Sequence, residues 1–149
     1  MKTLFEKDYL NEITSRINTL TPDTQRKWGT MSVNQMLAHC AVGMQTATGE
    51  KFLKSSPFLR MIGGMLKSQT TNDKPMRKSS PTHPGFIIGD TKGFEIEKQN
   101  LLNLINKFNE GGEVICTSNP HAFFGKLTPT QWGSLMYKHI DHHLRQFGV

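Results

Sequence analysis

The stretch TPTQWGSLMYKHIDHHLRQF, residues 128–147, decides how this chain folds. Thr128-Pro129-Thr130-Gln131 reads as a helix start, with threonine as cap, proline at the first helical position and glutamine closing a capping box. At 100° per residue, Trp132, Met136, Phe147, Ile140 and Leu144 fall within one arc of about 120°. Lys138, Ser134, Arg145 and Asp141 fall on the opposite side, from about 240° to 180°. One apolar stripe of this length must be buried against other helices.

The rest of the chain supplies them. From about Glu6 to Leu20, Phe5, Tyr9, Ile13 and Ile17 recur at four-residue steps, and Thr21-Pro22-Asp23 ends the helix. A second helix opens at the capping-box pattern Ser32-Val33-Asn34-Gln35 and runs to about Thr48, before Gly49. A third, about Gly93 to Asn109, carries Leu101, Leu104, Ile105 and Phe108 on one stripe and stops at Gly111-Gly112. Between the second and third lies a long insertion, with a short helix expected over Pro57 to Lys67. Residues Ser68 to Lys92 then read as 25 loop residues containing three prolines. With no convincing set of strands, the pattern is all-α: one four-helix-bundle domain over residues 1–149.

The composition sets outer limits. A hydrophobic content of 36% in 149 residues fits a globular domain with a substantial core. No apolar run approaches the roughly 20 residues that span a bilayer. The N-terminal MKTLFEKDYLNEI does not read as a signal peptide, and two cysteines, Cys40 and Cys116, suggest no disulfide framework. A cytoplasmic location is the default expectation. The net charge of +6 is concentrated: Lys51 to Lys78 holds seven Lys/Arg and one acid, while the remainder has eleven of each sign. Such a distribution makes general nucleic-acid coating an unlikely function and directs attention to what the segment faces. A flap over Lys51 to Lys92, drawing an anionic ligand toward a site, is one reading. A solvated basic surface is the other.

Three of the six histidines stand within five positions, His139, His142 and His143. On the helical wheel His139 at about 340° and His143 at about 20° lie inside the apolar arc, and His142 at about 280° lies on its edge. Gln146, at about 320°, shares the histidine face and could orient an imidazole. The spacing i, i+4 lets two imidazoles converge on one ion. The alternative is a pair of satisfied core histidines, each with its own buried partner. On the second helix, His39 borders the apolar face one turn before Gly43, whose missing side chain leaves room. Cys40, among apolar residues, reads as a buried thiol. His121, in the aromatic turn Pro120–Gly125, could line a pocket mouth or simply cap its turn. His83 reads as an ordinary loop residue, and Trp28 and Trp132 as core anchors.

WGTMSVNQMLAHC (Trp28–Cys40), NPHAFFGKLTPTQW (Asn119–Trp132) and KHIDHHLRQFGV (Lys138–Val149) resemble the DinB-like superfamily, in particular its uncharacterised branch with a C-terminal HxxHHLRQFGV-type motif. The resemblance spans essentially the whole chain. It implies a four-helix bundle, often dimeric, that binds a divalent metal through one histidine of the second helix and a His-x-x-x-His pair of the fourth. Carried onto this sequence, the ligands are His39, His139 and His143, with His142 outside the set.

Three neutral imidazoles would leave positions open for water, thiolate or substrate. Zinc is the default ion; nickel, iron and manganese suit imidazole as well. The expected function is a metal-dependent enzyme acting on a small molecule, either a hydrolase or an S-transferase using a low-molecular-weight thiol. The alternative is a non-catalytic metal-binding or stress-related module. No general base is evident, since the wheel puts Asp141 on the outer face.

Overall fold

A computed structural model describes the chain except residues 56–60, 62, 64–66, 71, 73, 79 and 81, and gives the backbone alone at 69 and 70. The structure is all-α. The principal helices are α1 (Lys7–Thr19), α2 (Val33–Thr48), α3 (Phe94–Gly111) and α4 (Pro129–Gln146), joined by short 3-10 turns at Lys67–Thr70, Pro84–Phe86 and Gly112–Ile115. Most of the short helix expected over residues 57–67 lies outside the described residues.

The local signals act as the sequence implies. Ser32 accepts the N–H of Gln35 while the Gln35 side chain accepts the N–H of Ser32, and Thr128 and Gln131 repeat this box at the start of α4. Each box satisfies two backbone donors that a helix start leaves without partners. Gly49 ends α2 in the left-handed region at φ 80°, which a glycine adopts without a Cβ penalty.

The helices form a ring in the order α1, α3, α2, α4, with α4 closing back on α1. Into its centre go Ile13 and Ile17 of α1, Met36, Leu37, Cys40 and Met44 of α2, Leu101, Ile105 and Phe108 of α3, and Trp132, Ile140 and Leu144 of α4. Cys40 is fully buried with its sulfur 3.9 Å from that of Met36, and burial pushes its thiol pKa up, so it is a packing group.

Two sequence readings need correction. Asp141 and Ser134 do not face solvent: both are buried, Asp141 against Arg16 of α1. The Asp141 carboxylate accepts from Arg16 Nη1 at 2.7 Å and from Arg145 Nε at 2.9 Å, so it ties α1 to the last turns of α4. Trp28 is not a core anchor either. It is half-buried, with the Lys78 ammonium 4.1 Å from its ring centre, whereas Trp132 is buried in the core.

The described part of the 51–92 connection returns to α2. Gln35 Nε2 donates to the carbonyl of Ile88 at 3.0 Å. His83 accepts the Gly85 N–H on Nδ1 and donates from Nε2 to the carbonyl of Lys54 at 2.8 Å, which pins the two ends of the segment together. His83 is thus a fully satisfied loop residue. None of the helices among the described residues is long and apolar enough to cross a membrane.

Replacing Asp141 with alanine should leave Arg16 partly buried with only the longer Glu12 contact, at 3.3 Å, as its ion pair. Loss of hydrogen bonds to a charged group predicts a destabilisation of about 1.5–3 kcal/mol, read as a lower denaturant midpoint. An unchanged midpoint would show that the α1–α4 tie contributes nothing.

Candidate metal centre

α2 and α4 meet along a seam where His39 faces His139 and His143. The three ring centroids are 4.6–4.9 Å apart. One nitrogen from each ring lies within 4.8 Å of the others; nitrogens bound at about 2.0–2.1 Å to one tetrahedral ion stand roughly 3.3 Å apart, so the rings would have to draw inward to share one. His39 and His143 are buried, and His139 is partly exposed. Among the described residues no other His, Cys, Asp or Glu forms a comparable cluster.

The outer nitrogens determine what the inner ones can do. His39 Nδ1 lies 2.9 Å from the carbonyl oxygen of Phe86. A carbonyl only accepts, so Nδ1 carries the proton and Nε2 presents its lone pair to the cluster. At His143 the same logic runs through an amide. Gln146 Nε2 donates to the carbonyl of Trp28 at 2.8 Å, which turns Gln146 Oε1 toward His143 Nδ1, also at 2.8 Å. His143 Nδ1 therefore donates, and its Nε2 is likewise bare.

His39 Nε2 and His139 Nε2 stand 2.9 Å apart. Two bare nitrogens at that distance repel, so a proton or a cation must lie between them. Without an ion, His139 donates from Nε2 to His39. A bound cation would replace that proton and draw in His143 as the third donor. The arrangement fits a divalent ion on its own chemistry: neutral nitrogen donors, with two outer nitrogens already fixed.

Burial also keeps the cluster neutral. It drives His139 well below its ordinary pKa, with repulsion from His143 and His39 adding to the effect. It lowers His143 to about 3, helped by His39 and opposed by the bond to Gln146. His39 is lowered by burial too, against the Phe86 carbonyl. Imidazoles held unprotonated are the form that binds metal.

Two glycines make the space. A Cβ on Gly43 would sit 3.0 Å from His139 Nδ1 and 3.1 Å from its Cε1. At Gly29, where φ is +78°, a Cβ would sit 2.4 Å from Gln146 Nε2. The first lets α2 and α4 approach closely enough for His39 to reach His139. The second lets Gln146 reach the Trp28 carbonyl.

The other candidates lie nearby but apart. His142 is half-buried, packs edge-on to Trp28 with centroids 6.0 Å apart and hydrogen-bonds to the backbone of Met76. His121 caps its own turn, its Nδ1 accepting the N–H groups of Phe123 and Phe124, and it lines a separate cleft. Asp141, held by Arg16 and Arg145, is not in the cluster. Sequence reasoning missed Phe86, which acts through its carbonyl. That place read only as part of the proline-containing loop from Ser68 to Lys92.

The family model described as "Protein of unknown function (DUF1569)" matches residues 2–148. The chain belongs to that family. No curated protein and no solved structure matches it. In this DUF1569 chain three histidines stand close enough together that they could bind one metal ion.

Gly43→Ala should raise intrinsic helix propensity by about 0.5–1 kcal/mol while crowding His139. Affinity for a divalent ion should fall about 10–100-fold with helicity unchanged, as when the support of a ligand is disturbed. Retained affinity would show that the close approach at Gly43 does not matter.

Acid should destabilise the ion-free protein. His143 at about 3 and His121, lowered to about 4 chiefly by burial, lie below the ordinary value of 6.5. Between those limits the unfolded chain binds more protons than the folded one, so stability rises with pH across the window. Denaturant midpoints should be level above about pH 6.5 and fall steadily toward pH 4. A flat profile would contradict the buried, neutral assignment.

Proposed function

We propose that the DUF1569 chain is a metal-dependent enzyme in which His39, His139 and His143 hold one divalent ion, with zinc the first expectation. The observation that carries this reading is the pair of fixed outer nitrogens. The Phe86 carbonyl and Gln146 commit two imidazoles to present lone pairs to a common point that the third, His139, also reaches. A satisfied core histidine needs no such convergence. The likeness of the C-terminal motif to the DinB-like superfamily supports the same three residues.

A divalent ion there would supply a Lewis acid with positions free for water, a thiolate or a substrate oxygen. The chain's own groups hold the geometry. Phe86 fixes the His39 ring, Gln146 fixes the His143 ring, and Gly43 leaves the space that His139 fills. Hydrolysis or transfer to a small thiol both fit an open three-histidine set. Among the described residues no carboxylate stands with the histidines to act as a separate base. That same lack favours the second reading, a binding module that holds the ion without turnover.

Metal analysis of untagged protein tests the first step. His39→Ala, His139→Ala and His143→Ala should each lower bound divalent ion about tenfold or more, while His142→Ala should keep it. Equal loss at His142 would overturn the ligand assignment. A thiol-transfer and ester-hydrolysis screen separates the two readings: turnover that disappears in the three variants supports an enzyme, and full metal content without turnover supports the module.

A further inference from the structure

The α2–α4 seam does not end at the histidines. Seven residues beyond His39 on α2 stands Thr46, and seven before His139 on α4 stands Trp132, two turns or roughly 10 Å away. There Thr46, Lys51, Phe86, His121 and Trp132 line a narrow cleft of about 10 Å³, room for about one water-sized sphere. Beside it a wider basin of about 240 Å³ is lined by Phe52, Leu53, Lys54, Pro120 and His121.

Among the described residues the cleft holds a buried hydrogen-bond donor without an acceptor. Among the described residues, Trp132 Nε1 is one of two buried side-chain polar atoms with no partner, an arrangement that folded proteins avoid. His121 adds a second donor. Its Nδ1 accepts from Phe123 N at 3.0 Å and Phe124 N at 3.3 Å, so the ring proton must be on Nε2. The rings of His121 and Trp132 are 5.4 Å apart. The Thr46 hydroxyl is already committed to the Gly43 carbonyl at 2.7 Å. Lys51 and Lys54 line the two spaces, no carboxylate does, and neither lysine forms an ion pair among the described residues.

Two ring N–H donors, two lysines and no anion call for an oxygen acceptor that carries negative charge. We propose that the cleft binds the oxyanion group, carboxylate or phosphate, of a small molecule. One oxygen enters the notch beside His121 and Trp132, and the rest of the molecule occupies the basin. This assignment does not depend on the metal. If the histidines hold an ion, the same molecule would be a substrate bearing its oxyanion roughly 10 Å from the reacting group, an extension that rests on the metal reading.

The test uses the full chain treated with chelator, so that failure of the metal reading cannot affect it. Acetate and inorganic phosphate are titrated at constant ionic strength while the two indole N–H resonances are followed by NMR. The Trp132 resonance should shift saturably with at least one anion, and that of Trp28 should not. Affinity, followed in the variants by the backbone amide shifts of Thr46 and Ala122, should fall about tenfold from the parent value in Trp132→Phe and likewise in His121→Asn, which keeps an acceptor for the turn N–H groups but draws its donor back from the position of Nε2. Lys51→Met should weaken binding most at low salt. Tighter binding of acetate would identify a carboxylate group, and of phosphate a phosphoryl group. If Trp132→Phe fails to fold, His121→Asn carries the test. No saturable shift with either anion would leave the donors to water and overturn the proposal. So would an affinity in the His121 and Trp132 variants unchanged from that of the parent protein, which would place the anions on surface lysines.

Discussion

An imidazole buried between two helices must place both of its ring nitrogens, and here three such rings stand side by side. In this chain the outer nitrogen of His39 is met by a loop carbonyl at Phe86, and that of His143 by Gln146 at the end of α4, itself oriented by the loop carbonyl of Trp28. That constraint accounts for several otherwise separate features. It gives the 84–86 turn a reason to lie on α2 and gives Gly29 a reason to lack a side chain. It also requires the connection before α2 to come back against the end of α4, where the Lys27 N–H donates to the Gln146 carbonyl at 2.7 Å.

The helices were legible because their signals are local. Capping boxes at Ser32 and Thr128, and stripes such as Leu101, Leu104, Ile105 and Phe108, depend on neighbours within a few turns. The inward placement of His139 and His143 followed from the same periodicity. What a wheel cannot show is which element covers the other side. Asp141 and Ser134 looked solvent-facing because the wheel sorts residues by polarity, yet both are buried, and Arg16 of α1 supplies Asp141 with its countercharge. Trp28 looked like core because tryptophan usually is, but it lies half-exposed beneath Lys78. Phe86 escaped notice for a deeper reason. Any residue has a carbonyl, so a contact made by backbone leaves no residue type to recognise.

The basic connection has two different relations to the site. Its later part, around Phe86 and Ile88, is bonded directly to α2 beside His39. Lys78, within the charged stretch, sits on Trp28, next to His142 and one residue from the loop glycine that admits Gln146. Lys51 and Lys54 sit at the opposite end of the same seam. Three cations of the segment that is so basic in sequence thus lie near the two ends of the α2–α4 seam.

The contact between His39 and His139 spans 100 positions of chain, and that between His39 and Phe86 spans 47. His139 and His143, by contrast, are one turn apart and come into line as soon as α4 forms. Local contacts of this kind develop early in folding, whereas distant ones wait for loop closure. The alignment of the α4 pair is thus set by one helix alone, whereas the third imidazole joins it only where α2 is docked and the 84–86 turn is in place. Half of the cluster is a property of local sequence, and the other half a property of the completed fold.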